Sequence, residues 1–181
     1  TPDCREGIHE NAMRLIGALG DAATILNVDL LNFLGAVGSK LSFEIGCTKL
    51  SPLMFTLLSQ ALTGHRQLYQ EATAIAGAAL ELNEKRYMDA WSTGRLLVHQ
   101  FWFVRHWSSH INDSLPLIEE AFAVTRKAHD PIYGAYLLSM AVLVHFYSGR
   151  KLGEVLEAQN RVIEHCRPYP MEGVVAFSEP Y

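Results

Sequence analysis

The feature that most constrains this fold is a repeated helical spacing of apolar residues, interrupted only by short turn signals. Apolar residues recur every three to four positions in segments along the whole chain, whereas strand-like alternation is nearly absent. In residues 114–129, apolar side chains hold one face of a helix, and Glu119, Glu120, Arg126 and Lys127 hold the other. The pattern therefore predicts an all-α protein.

Residues with a known preference for helix ends predict where several helices start and stop. Ser51-Pro52 and Asp130-Pro131 each place a capping side chain before a proline, which has no amide to leave unpaired in a first helical turn. Gly46 and Gly149 are expected to end helices, and Gly20-Asp21 is expected to separate the first two. Other weak points are predicted at Gly35, at Gly38 and at the polar residues 83–86.

Short breaks between successive helices favour antiparallel neighbours. We therefore expect helix pairs stacked as a tetratricopeptide-like α-solenoid in a single helical-repeat region, residues 1–181. The pairs are placed roughly at 4–47, 51–83, 86–129 and 131–166. Residues 167–181 are interpreted as the start of a further, truncated element. The chain begins without Met and lacks a basic, apolar leader, so we expect it to be a fragment of a longer multidomain chain.

Charge and cysteine content exclude several classes of protein. The formal net charge is -4, which argues against nucleic-acid binding because phosphate contacts need clustered Lys and Arg. Cys4, Cys47 and Cys166 are far apart and odd in number, which favours a reducing, cytoplasmic location over a disulfide scaffold. Residues 131–149 contain no charged side chain, but their polar interruptions favour a buried helix over a membrane span.

The densest group of chemically versatile side chains is the segment 99–110, HQFWFVRHWSSH. On one continuous helix, His99, His106 and His110 would share a face, which is a conceivable zinc site. Ser108-Ser109 is expected to fray that helix, and the surrounding aromatic residues favour packing histidines in a helical core. We therefore predict no metal and keep these three histidines as the candidates if one binds.

Nothing in the sequence identifies a catalytic residue or a bound cofactor. Residues 35–40 lack the Gly-Lys-Ser/Thr ending of a phosphate-binding loop, and residues 148–151 match S-x-x-K without its partner motifs. Glu119 and Glu120 are about 100° apart on a helix and do not converge as an acid and a base. The chain is expected not to be an enzyme.

Several stretches resemble one family of proteins. Their order is similar to that of the helical-repeat region of large signalling proteins that combine a Ser/Thr-kinase-like domain, a predicted signal-transduction ATPase of the STAND/AAA type and a sensor histidine kinase. His106-Trp107, Tyr133, Tyr136 and Leu152 match the expected pattern, whereas His129 stands where a Gly is usual. The resemblance covers structural positions at 41–46, 51–62, 69–82 and 105–156.

The resemblance implies a non-enzymatic scaffold that makes protein–protein or interdomain contacts in such a signalling ATPase and kinase. Its partner would be another protein or a neighbouring domain, and the sequence leaves homo-oligomerisation open. A different class is an all-α enzyme or ligand- or metal-binding protein with a pocket lined by residues 91–110. The candidate partner-contact residues are Arg95, Arg105, Glu119, Glu120, Arg126 and Lys127.

Overall fold

The computed structural model describes residues 7–171 and 174, with the backbone alone for residue 25. This part of the chain is helical and contains no β-strand, which confirms the all-α prediction. Cys4 and most of the predicted C-terminal element lie outside the described residues. The α-helices are α1 (Gly7–Leu26), α2 (Val28–Ile45), α3 (Ser51–Arg66), α4 (Tyr69–Leu82), α5 (Ala90–Phe103), α6 (Ser114–Lys127), α7 (Pro131–Tyr147) and α8 (Leu152–Cys166).

Most contacts between helices join neighbours along the chain. They are most extensive between α2 and α3, α3 and α4, and α7 and α8, and they continue through α5, α6 and α7. Alternate helices also meet, because α5 contacts both α3 and α7. The core is correspondingly distributed along the chain: one apolar cluster lies between α1, α2 and α3, and another lies between α5, α6 and α7.

The predicted boundary at Gly20-Asp21 is wrong, because α1 runs through it to Leu26. Gly20 is buried, and the Asp21 carboxylate interacts with distant helices instead of capping a new one. The break falls at Asn27, whose side-chain oxygen accepts a hydrogen bond from the amide of Leu30 at 3.0 Å. Asparagine is a strong N-cap, which explains why the chain breaks there.

Both proline start signals mark real helix starts, although only one works as predicted. Asp130 caps α7 by accepting a hydrogen bond from the amide of Tyr133. Ser51 begins α3, but its hydroxyl oxygen accepts from the Thr48 amide and pairs with the hydroxyl of Ser42 at 2.7 Å. Ser51 therefore links α3 to α2 and to the turn before it, and does not cap its own helix.

The prediction of weak points at Gly35 and Gly38 is wrong, because α2 is continuous through both residues. They instead let α3 approach closely. A Cβ atom at Gly35 would lie 2.4 Å from the Cβ of Leu57, and one at Gly38 would lie 2.4 Å from the Cγ of Met54. Side chains at these positions would overlap α3, so the two glycines set the spacing of the pair.

The predicted ends at Gly46 and Gly149 are observed, and both glycines have positive φ, where other residues are strained. The polar residues 83–86 end α4, but they form a π-helical turn, Asn83–Tyr87, and not a loop. The buried Asn83 amide donates to the backbone oxygen of Asp89 and to the hydroxyl of Thr93. These bonds tie the turn to the start of α5.

The uncharged segment after Pro131 forms α7, which packs against α5, α6 and α8. Contacts on several sides account for its apolar character, as the sequence indicated. Leu137 and Val144 are almost completely buried. No helix in residues 7–171 combines the length and apolar character needed to cross a membrane.

Candidate functional site

The three candidate histidines do not share one helix. Helix α5 ends at Phe103, His106 lies in a separate 3₁₀ turn, and His110 precedes another. The arrangement that would bring all three histidines to one face therefore does not form, and α5 ends before the fraying that is expected at Ser108-Ser109. His106 and His110 are exposed, whereas His99 is buried. Within residues 7–171, no three His, Cys, Asp or Glu side chains are placed to hold a metal ion.

His99 lies in the interior between α3 and α5. Its side chain is 2 % exposed, and its Nδ1 lies 3.1 Å from the side-chain oxygen of Gln60, which is also buried. Because an amide oxygen only accepts, this contact places the proton of a neutral imidazole on Nδ1. Burial, followed by the positive charge of Arg95, lowers the pKa of His99 to about 4. His99 is therefore a neutral core residue at physiological pH.

The aromatic residues of segment 91–107 are divided between the core and the surface. Phe101 is buried, and Trp102 and Phe103 are partly buried. Trp107 is 53 % exposed and stacks on Tyr69 of α4, with 4.5 Å between ring centroids. Trp91 lies at the edge of a depression of about 390 Å³ between α1, the α2–α3 turn and the start of α5.

Arg95 is the centre of a polar cluster that joins α1, α5 and α7. Its side chain is 8 % exposed and forms ion pairs with Asp130 and, at 3.4 Å, with Asp21. The guanidinium carbon lies 3.5 Å from the ring centroid of Trp91 and 4.1 Å from that of Tyr133. Two carboxylates and two aromatic faces therefore surround this buried cation, as a desolvated charge requires.

Tyr133 and Asp130 complete the cluster from the start of α7. The hydroxyl of Tyr133 donates to the Asp21 carboxylate at 3.3 Å, while Asp130 both caps α7 and pairs with Arg95. Burial, followed by the negative charge of Asp21, raises the pKa of Tyr133. The cluster satisfies itself internally, so Arg95 holds helices together and is not presented to a partner.

The other predicted contact residues are closer to the surface. Glu119 accepts two hydrogen bonds from Arg161 of α8, at 2.7 and 2.9 Å, and the hydrogen bond from Arg161 lowers the pKa of Glu119. Glu120 and Lys127 are exposed. Arg105 is partly buried, and its Nε makes no hydrogen bond within the described part of the chain.

Arg126 lies in a surface groove, which we call the α6–α8 groove. Two adjoining depressions of about 400 Å³ share Arg126, His165 and Tyr169 in their walls. His129 and Arg161 add further basic side chains, and Asp130 and Glu164 add two acidic side chains. His165 Nε2 donates to the backbone oxygen of Pro131 at 2.9 Å, which fixes the ring beside the groove.

The structure thus separates some residues that lie close together in the sequence, and it brings together others that lie far apart in the sequence. The α6–α8 groove contains one predicted contact residue, Arg126, together with His129 and His165, which were not candidates. Asp21 and Tyr133 belong to the Arg95 cluster although 112 residues separate them. No local spacing signals such a pair, since only the tertiary packing brings α1 to the start of α7.

The two cysteines within the described residues are both buried and free. Burial raises the pKa of Cys166, which disfavours the thiolate needed for nucleophilic chemistry. Their positions therefore fit packing roles.

Comparison with protein-family models, with curated proteins and with solved structures identified no match to this chain.

Proposed function

We propose that this chain is a non-enzymatic, tetratricopeptide-like scaffold that binds a protein partner or a neighbouring domain. The observation that carries the proposal is the packing of α5 on both α3 and α7, in addition to the contacts between consecutive helices. In a solenoid of helix pairs, alternate helices form one layer and their partners form another. The contacts of α3, α5 and α7 fit such a layer.

The α6–α8 groove is the surface that we assign to a partner. Its walls contain Arg126, Arg161, His129 and His165 together with two acidic residues, Asp130 and Glu164, and Asp130 is already paired with the buried Arg95. Arg161 is already paired with Glu119, whereas Arg126 is exposed on the last turn of α6. Charge complementarity therefore favours an acidic segment of a partner protein or domain.

The sequence resemblance supplies the wider setting of this proposal. A scaffold of this kind would lie in a signalling protein that combines an ATPase with kinase modules, and it would contribute contacts and not chemistry. Support for that setting comes from the matched positions around His106-Trp107, Tyr133 and Leu152. The buried His99 and the internally paired Arg95 leave packing as the simplest role for residues 91–103.

Fluorescence anisotropy with a labelled Glu-rich peptide tests the groove. We expect saturable binding that weakens as salt is added, because exposed charges are screened. Arg126→Ala should weaken the binding, whereas Lys40→Ala, an exposed cation on α2, should leave it unchanged. Equal loss in both variants would indicate nonspecific charge attraction, and absence of binding to the acidic peptide would contradict an acidic partner at this groove.

A further inference from the structure

Helix α1 has an apolar stripe along its solvent-exposed side. Its large members are Ile8, Leu15, Leu19 and Leu26, which are 81, 63, 47 and 81 % exposed. At 100° per residue they lie within about 40° of one another on the helix surface. Ala12 and Ala22 fall in the same row, so apolar residues follow one another at alternating spacings of four and three.

Alternating spacings of four and three are the pattern of a coiled-coil seam. The α1 stripe consists of Ile8, Ala12, Leu15, Leu19, Ala22 and Leu26 and contains no charged residue. The adjoining and opposite sides of α1 already pack in the fold, through Ala23 and Met13 respectively, which are each 2 % exposed. The stripe is therefore a second apolar surface that α1 does not need for its own packing.

We infer that the α1 stripe is a homodimer interface in which two copies of α1 pack antiparallel. The order of side chains is the same from either end: large, Ala, large, large, Ala, large. A two-fold axis at the middle of the helix places Ile8 opposite the partner copy's residue 26 and Leu15 opposite its residue 19. An isologous interface requires this self-complementarity.

The charge distribution of α1 and the area of the stripe are both compatible with a second copy of α1 at this surface. The charged residues of α1, Glu10, Arg14 and Asp21, project about 120° or more from the centre of the stripe, so two copies can approach without like-charge repulsion. Antiparallel packing also opposes the two helix dipoles. The exposed members offer on the order of 500 Å² of apolar surface per copy, so a dimer buries roughly 1,000 Å², near the lower limit for a specific interface.

The area also sets the expected strength of association. Layers of Ala against Ala bury less apolar surface than layers of Leu, so the dimer should be reversible, with a Kd in the roughly micromolar range. Val28, at the start of α2 and 50 % exposed, lies just beyond the end of the stripe. The interface is separate from the α6–α8 groove, so dimerisation and peptide binding can fail independently.

Sedimentation velocity over a range of protein concentrations tests the inference. We expect a shift from monomer to dimer mass for the unaltered chain and a monomer at every concentration for Leu15→Glu. Phe146→Glu introduces the same charge at a 58 % exposed site on α7 and should leave the shift unchanged. A monomer at all concentrations, or a dimer that survives Leu15→Glu, would overturn the inference.

Cysteine cross-linking tests the orientation. In a Cys4→Ser background, an equal mixture of Ala12→Cys and Ala22→Cys chains should form the mixed disulfide under mild oxidation. Neither variant alone should cross-link efficiently, because the antiparallel arrangement puts Ala12 opposite residue 22 of the partner copy. Efficient cross-linking of Ala12→Cys with itself would show a parallel pair and refute the antiparallel interface.

Discussion

Protonation of His99 should be a main cause of acid destabilisation in this protein. The side chain is buried against Gln60, and its pKa is about 4 in the folded chain, compared with an ordinary value of about 6.5 in an unfolded one. Above about pH 6.5, His99 is neutral in both states and has no effect on the pH dependence of stability. As the pH falls from there toward 4, the unfolded chain binds a proton that the folded chain excludes.

The magnitude follows from the difference between the two pKa values. A difference of about 2.5 units corresponds to roughly 3 kcal/mol of stability lost between pH 6.5 and pH 4. The assay is urea denaturation at a series of pH values, for the unaltered chain and for His99→Gln. Glutamine can keep a hydrogen bond to Gln60 but cannot titrate, so the variant should lose free energy of unfolding less steeply with acid.

The comparison isolates His99, because the other titrating groups are common to both proteins. An NMR titration of the imidazole in the folded chain gives an independent readout. Parallel stability curves for the two proteins, or a folded-state pKa near 6.5, would refute the conclusion that His99 is a desolvated core residue.

Three further predictions follow from the packing. Gly35→Ala should lower the free energy of unfolding by about 1 to 3 kcal/mol, because the added methyl group overlaps α3. Gly77→Ala, which adds a methyl group in open space on α4, should raise that free energy by up to about 1 kcal/mol. Urea denaturation of both variants measures the contrast, and equal effects would exclude close packing as the cause. Arg95→Met should cost about 3 to 5 kcal/mol in the same assay, because it leaves the Asp130 carboxylate buried without its cation; a loss below about 1 kcal/mol would show that the cluster is not a tether. Glu119→Gln should change stability by less than about 0.5 kcal/mol, because its ion pair is about half exposed; chemical denaturation at low and high salt checks this, and a larger loss would indicate a structural role.

The sequence predicted well those features that depend on neighbouring residues. Asp130-Pro131 marked a helix start, and Gly46 and Gly149 marked helix ends, because each signal acts within one turn. Amphipathic spacing likewise predicted the helical class. The failed boundary at Gly20-Asp21 has a tertiary cause, since the Asp21 carboxylate is used by α5 and α7.

The candidate site was predicted less well, because its geometry depends on contacts between distant residues. Helix α5 ends at Phe103, whose carbonyl accepts a hydrogen bond from the Thr63 hydroxyl, 40 residues away. That early end separates His99 from His106, so the two do not share the face that one continuous helix would give them. Arg95 looked like a surface cation in its own segment, yet its partners lie 74 residues before it and 35 residues after it. Local patterns contain no information on such pairs.

The long separation between Asp21 and Tyr133 has a consequence for synthesis of the chain. At about 5 to 20 residues per second, the 112 residues between them take roughly 6 to 22 s to be translated. During that interval α1 can pack on α2, but its hydrogen bond to α7 has no donor. Helix α1, the first of the described helices to be translated, is thus among the last of them to be fully anchored. Its apolar stripe is part of the nascent chain throughout that interval.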